Sequence, residues 1–277
     1  VQWYVHDMRI FWATTIGLIL AIVISQLTEY FTSTKRKPVI EIAEATQTGP
    51  ATPILSGFAV GAESTVWAIV AIAVTIVLCS FLMGGNTLMT LYAVALAGMG
   101  MLTTTGMIVA MDTYGPVADN AHGIIEMSGE KVGDASQIVS QLDAVGNTTK
   151  AITKGFAIGS AVVAAVSLFG SYIESISGSG ITSISVDRPM VFVGLLIGGA
   201  VPFLFSSLTI KAVARAAFGI VKEVRRQFRE IPGLMEGKAD PDSDRCVDIC
   251  TTAAIRELFG PGLLSIFTTI LVGFFLH

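Results

Sequence analysis

The chain has 277 residues, 52% of them hydrophobic and only 14% charged, with a formal net charge of −4. A soluble domain carries about 25% charged residues, so this composition excludes an ordinary water-soluble enzyme and marks an integral membrane protein, as does the mean hydropathy of +0.71. The small negative charge argues against a nucleic-acid partner.

Six apolar runs are long enough to cross a bilayer, at about 20 residues each. The first, Ile10–Thr28, is bracketed by Arg9 and Glu29, and the second, Ile54–Met83, is interrupted only by Glu63. Then come Leu88–Met111, Gly155–Ile173, Pro189–Ile210 and Leu258–Leu276. With amphipathic continuations the helices are expected at about 8–31, 54–83, 88–120, 137–175, 189–229 and 245–276, forming a single transmembrane segment over 1–277. The expected fold class is all-α: a polytopic membrane helix bundle of six transmembrane helices with long cytoplasmic extensions. Gly84-Gly85-Asn86 reads as a tight turn and Ser177–Ser185 as a Ser/Gly-rich loop. Ile231-Pro232-Gly233 is expected to stop the fifth helix, and Pro202 to kink it.

The connections after the first, third and fifth runs hold fifteen of the seventeen lysines and arginines, leaving Arg9 and Arg188 for the other side. The positive-inside rule then puts those three connections in the cytoplasm and both ends of the chain outside. The chain has no initiator methionine, opens on VQWYVHDMRIFW and closes on FFLH, and is expected to be a piece of a longer protein. Cys79, Cys246 and Cys250 give no disulfide framework and too few companions for a metal site, so they read as free thiols. Gly98, Gly100, Gly106, Gly155, Gly159 and Gly170 read as close-packing positions, and Glu63 as a snorkelling carboxylate.

The polar stretch Asp112–Lys154 joins two of the most apolar runs, and ionisable groups at such helix ends are costly enough to suggest function. Asp112, Asp119 and Glu126 recur every seven residues, so a helix would turn them the same way, with Gly115-Pro116 disturbing it locally. Asp143, Asn147, Lys150 and Lys154 are spaced four, three and four, along one helical stripe. A solvated amphipathic face has the same pattern. However, Lys154 is followed by nineteen uncharged residues, so this stripe points into a membrane helix. No phosphate-loop, HExxH or GxSxG motif is present.

Carboxylates and an amide oxygen are hard ligands suited to Mg²⁺, which is commonly held by a few carboxylates plus substrate phosphates, and lysines can take phosphate oxygens. The residues alone leave three readings open: a pump driven by a magnesium-phosphate substrate, a secondary transporter with charged pathway residues, and a non-catalytic membrane scaffold.

DTYGPVADNAHGIIEM followed by LDAVGNTTKAITKGFAIGSA resembles the signature of the membrane-integral, ion-pumping inorganic pyrophosphatases. EIAEATQTGPATPILSGFAVGAES resembles that family's connection into its tenth helix, and VRRQFREIPGLMEGKADPDSDRCVDICTTAAIREL its late cytoplasmic loop. The resemblance implies a homodimer of subunits with about sixteen helices, of which this chain supplies a part, with its third and fourth helices in an inner ring around a cytoplasmic funnel. It also implies coupling of Mg-pyrophosphate hydrolysis to proton translocation, with Mg²⁺ as cofactor and a lipid bilayer, bacterial or vacuolar, as the setting. The family's DVGADLVGK and DTVGDPFKDTSGP stretches are absent, so the chain alone is expected to be inactive. Residue by residue, Asp119 and Asn147 match positions of the magnesium-pyrophosphate site. Lys154 matches a lysine near the funnel, and Asp112 matches an acid lower in the ring; both are catalytic candidates. Lys150 and Thr153 match the potassium-independent type, in which the lysine ammonium replaces a bound cation. His122 departs from the small residue usual in the family, as a surface change or a pH-sensitive neighbour of the site.

Overall fold

A computed structural model describes residues 7–128, 134–177 and 184–275. The described residues form eight α-helices and one 3-10 turn, without a strand. They are α1 (Met8–Thr32), α2 (Lys37–Ala45), the 3-10 turn Thr46–Thr48, α3 (Ala51–Leu82), α4 (Thr87–Leu102), α5 (Thr105–Ser128), α6 (Ala135–Ser177), α7 (Pro189–Glu230) and α8 (Ser243–Phe275). Five are long and apolar enough to cross a membrane, and α4 with α5 makes a sixth candidate as a bent pair. The protein is thus a multi-pass membrane protein of all-α class. At about 1.5 Å per residue, α6 is roughly 64 Å long, about twice the hydrocarbon core of a bilayer. Residues 1–6 (with His6), Lys131, most of the expected Ser/Gly loop, Leu276 and His277 lie outside the described residues.

The chain divides into two compact units, residues 1–182 and 183–277. In the first unit α1 starts at Asp7, whose side chain accepts from the Arg9 N–H. The α3–α4 turn needs Gly84 and Gly85, with φ of +64° and +77°, a region that favours glycine. Asn86 then caps α4 by accepting from the Met89 N–H. The core lies where α1, α4 and α6 meet, around Ala13, Leu20, Ile24, Val94, Ala97, Met101, Phe156 and Val163. Backbones touch there: a Cβ on Gly17 would collide with the Ala97 carbonyl, and one on Gly100 with that of Thr14. Gly155, Gly159 and Gly170 likewise face Thr28, Met101 and Leu91. Gly17 was not among the glycines singled out from the sequence, and Gly106, which was, meets nothing within 4 Å.

The expected single helix over 88–120 is two helices bent by 48° between Leu102 and Thr105. At the break the Thr103 and Thr105 hydroxyls donate back to the Gly100 and Leu102 carbonyls. Gly100, pressed on α1, fixes the end of α4. By contrast, α5 continues through Pro116 and α7 through Pro202. Proline has no N–H, so Pro116 leaves the Asp112 carbonyl without its helical donor.

The second unit is an antiparallel hairpin of α7 and α8, matched in register by Gln227 with Cys246 and Arg215 with Glu257. Helix α7 ends where Ile231 precedes Pro232-Gly233. The returning loop is held by Gln227, 3% exposed. Its amide donates to the Asp242 carbonyl and accepts from the Asp242 N–H, each at 2.9 Å. Glu223, 7% exposed, fixes that amide and takes two bonds from Arg226. Cys79, Cys246 and Cys250 are free.

Candidate functional site

Helices α5 and α6 approach closely at Gly115 and Gly146, where a Cβ on Gly146 would lie 3.2 Å from the Gly115 Cα. Glycine at both positions brings the backbones together, and the polar side chains above and below the crossing meet across it. The Tyr114 hydroxyl donates to the Leu142 carbonyl at 3.2 Å, and Thr148 reaches the Thr32 carbonyl at the end of α1 at 3.3 Å. These contacts set how α6 lies against α5 and α1.

Lys150 runs across Gly115: a Cβ there would come within 2.5 Å of Lys150 Cγ and Cε. Its ammonium donates to Asp119 Oδ2 at 3.0 Å and to Asn147 Oδ1 at 3.2 Å. One of its three N–H donors is left over among the described residues. The Asn147 amide donates to Asp143 Oδ1 at 3.3 Å, and Asp143 Oδ2 meets His122 Nδ1 at 3.0 Å. Below the crossing, Thr153 donates to Asp112 Oδ1 at 2.8 Å. Residues 122, 143, 147, 150 and 119 therefore form one bonded chain, with Thr153 and Asp112 as a separate rung.

Among the residues expected from sequence, Asp119, Asn147 and Lys150 are brought together, and Asp112 and Thr153 are paired with each other. Lys154 is exposed and makes no ion pair among the described residues. Glu126, the third acid of the seven-residue series, is exposed as well. Missed from sequence were the Gly115–Gly146 contact, the Thr153–Asp112 bond and the joining of His122 to Asp143. The available signal was the pair of glycines, one in each polar motif.

Among the described residues no group of three or more His, Cys, Asp or Glu side chains converges to hold a metal. The site offers one carboxylate, Asp119, whose side chain is 62% exposed, and one amide oxygen, Asn147. Two hard oxygens fit part of a Mg²⁺ shell that substrate phosphates and waters complete. The spare donor of Lys150 and the unpaired ammonium of Lys154 are point charges for anionic oxygens.

A family model described as "Inorganic H+ pyrophosphatase" matches residues 2–277. A K(+)-insensitive pyrophosphate-energized proton pump of Chloroflexus aurantiacus is 54% identical over 97% of this chain and 37% of its own length. One from Streptomyces coelicolor is 51% identical over 95% of the chain and 35% of its length. A putative K(+)-stimulated pyrophosphate-energized sodium pump of Clostridium tetani is 48% identical over 98% of the chain and 40% of its length. The chain thus spans little more than a third of the length of these relatives.

Proposed function

The chain belongs to the inorganic H+ pyrophosphatase family, and from that premise we propose that it forms one wall of the substrate site in a membrane pyrophosphatase that couples pyrophosphate hydrolysis to proton movement. The observation that carries this reading is the Lys150 ammonium between Asp119 and Asn147, at 3.0 and 3.2 Å, on helices leading into the membrane.

Relatives of both ion specificities match this chain, so similarity alone does not choose between them. Lys150 favours the potassium-insensitive, proton-pumping form. A tethered ammonium beside a carboxylate and an amide oxygen supplies the positive charge that a bound K⁺ would otherwise bring to an anionic substrate. Asp119 and Asn147 are the residues that would hold magnesium. Bound magnesium supplies neutralisation of phosphate charge and in-line alignment for attack by water. The spare Lys150 donor and Lys154 bind and orient phosphate oxygens. Asp112, fixed by Thr153 on the bilayer side of the site, is placed to hold a proton passing between the site and the membrane interior.

In this reading the site faces the cytoplasm, both ends of the chain lie outside, and the segment is part of a larger subunit of about sixteen helices that forms a homodimer in a bacterial or vacuolar membrane. Acids from the rest of that subunit complete the magnesium shell, so the segment alone is inactive.

The test uses sealed vesicles carrying the full-length protein. Mg²⁺-dependent pyrophosphate hydrolysis and dye-reported proton uptake are measured with and without K⁺. Equal rates in both media are expected. Strong stimulation by K⁺ overturns the potassium-insensitive assignment, and absence of pyrophosphate hydrolysis overturns the whole reading.

A further inference from the structure

We infer that Asp143 is a positioning residue for the site, holding the Asn147 amide with its oxygen toward Lys150 and Asp119, and that His122 steadies Asp143 from the facing helix. This rests on the function proposed above, and neither residue is itself offered as a ligand.

An amide presents two different faces. A half-turn about the last side-chain torsion of Asn147 exchanges a donor for an acceptor in the same place, so its neighbours decide which face the site sees. One neighbour is a carboxylate, which only accepts when ionised. The other is an ammonium, which only donates. Asn147 sits between them, Nδ2 at 3.3 Å from Asp143 Oδ1 and Oδ1 at 3.2 Å from Lys150 Nζ. Turning the amide over would set N–H against ammonium and oxygen against carboxylate, so both contacts turn repulsive together. The orientation is therefore enforced from both ends, and Asp143 enforces it even when substrate draws Lys150 away.

Asp143 differs from Asp119 in a way that suits this role. Both its oxygens are engaged, Oδ1 by Asn147 and Oδ2 by His122. Its side chain is 18% exposed, against 62% for Asp119, whose Oδ1 accepts nothing among the described residues. Asp119 has an oxygen to offer a ligand, whereas Asp143 has none. The His122 contact at 3.0 Å crosses from α5 to α6 and fixes which way the carboxylate turns. An ionised carboxylate accepts only, so Nδ1 carries the proton in this contact.

The test is binding of Mg-imidodiphosphate, a non-hydrolysable diphosphate, to purified full-length protein by titration calorimetry, alongside KM and kcat for pyrophosphate. In Asp143→Asn the new side chain can donate as well as accept, so Asn147 is free to turn over. Kd and KM are expected to rise about tenfold, the usual effect of losing a partner that orients a ligating group, with kcat little changed. Asp143→Glu keeps an accept-only carboxylate and is expected to restore most of the affinity. If Asp143→Asn does not accumulate, His122→Ala carries the test, with a smaller rise in the same direction. Wild-type affinity in Asp143→Asn, or in His122→Ala where that variant stands in, overturns the inference while leaving the pump assignment intact. A wild-type protein that neither binds the analogue nor hydrolyses pyrophosphate defeats the pump assignment itself.

Discussion

Lys150 reaches Asp119 because residue 115 has no side chain: a methyl group there would stand 2.5 Å from two carbons of the lysine stem. The stem crosses from α6 over the backbone of α5 and delivers its ammonium to two oxygens on different helices. Lys150→Ala removes that charge and leaves Asp119 and Asn147 without the cation between them. In the full-length protein, pyrophosphate hydrolysis without K⁺ is expected to fall at least about tenfold, the scale of losing a charged contact, and added K⁺ to recover much of it. Hydrolysis assayed over a K⁺ series checks this, and a variant that ignores K⁺ while staying active would separate Lys150 from the cation's role. The spacing of residues 143, 147 and 150 was enough to place them on one face of α6, and the seven-residue interval placed Asp112 and Asp119 on one face of α5. Partner choice was not legible, because it depends on where the two helices cross. The crossing at Gly115 and Gly146 sets Thr153 opposite Asp112 and leaves Lys154, one residue further round the helix, outside the contact.

At the scale of elements, the six apolar runs and the stop of α7 at Ile231 could be read from hydropathy and turn chemistry. The break between α4 and α5 could not. The run Leu88–Met111 is uncharged throughout, and hydropathy does not register a break within an uncharged run. Its only trace was the sequence Thr103-Thr104-Thr105-Gly106. The clamp in the second unit was also hidden, since Glu223 and Gln227 read as one more stretch of a charged amphipathic helix, yet both are buried. Glu223 lies beyond the apolar run of α7. Hydrogen bonds from Arg226 and then Gln227 bring its carboxyl down from 4.5 to about 2. A carboxyl depressed on folding stabilises the folded form above its unfolded value and loses that contribution as pH falls through the folded one. The clamp is therefore complete above pH 4.5 and released as pH falls toward 2. Limited pepsin digestion across that range is expected to cut the 231–242 connection increasingly fast toward low pH. In Glu223→Gln, which has no proton to gain, the extra cleavage should already be present at the upper end. Parallel pH profiles for the two proteins would remove Glu223 from the clamp.

At the scale of the whole molecule, charge asymmetry is the ground for the proposed orientation of the site. Fifteen of seventeen lysines and arginines belong to three alternate connections, and only Arg9 and Arg188 fall outside them. Under the reading proposed above, the positive-inside rule puts the α5–α6 site on the cytoplasmic side. That matters for function, because a pump draws its phosphate fuel from the compartment where the site opens. The cysteines provide the means of checking. Cys79 is buried in α3, whereas Cys250 is exposed near the start of α8. In sealed right-side-out vesicles a membrane-impermeant maleimide is expected to leave Cys250 unmodified until the membrane is permeabilised. Ser185→Cys, in the connection before α7, should react without permeabilisation. The reverse pattern would turn Lys150, Asp119 and Asn147 toward the outside, where a cytoplasmic pyrophosphate could not reach them, and a pyrophosphate-driven proton pump could not be built on these two helices.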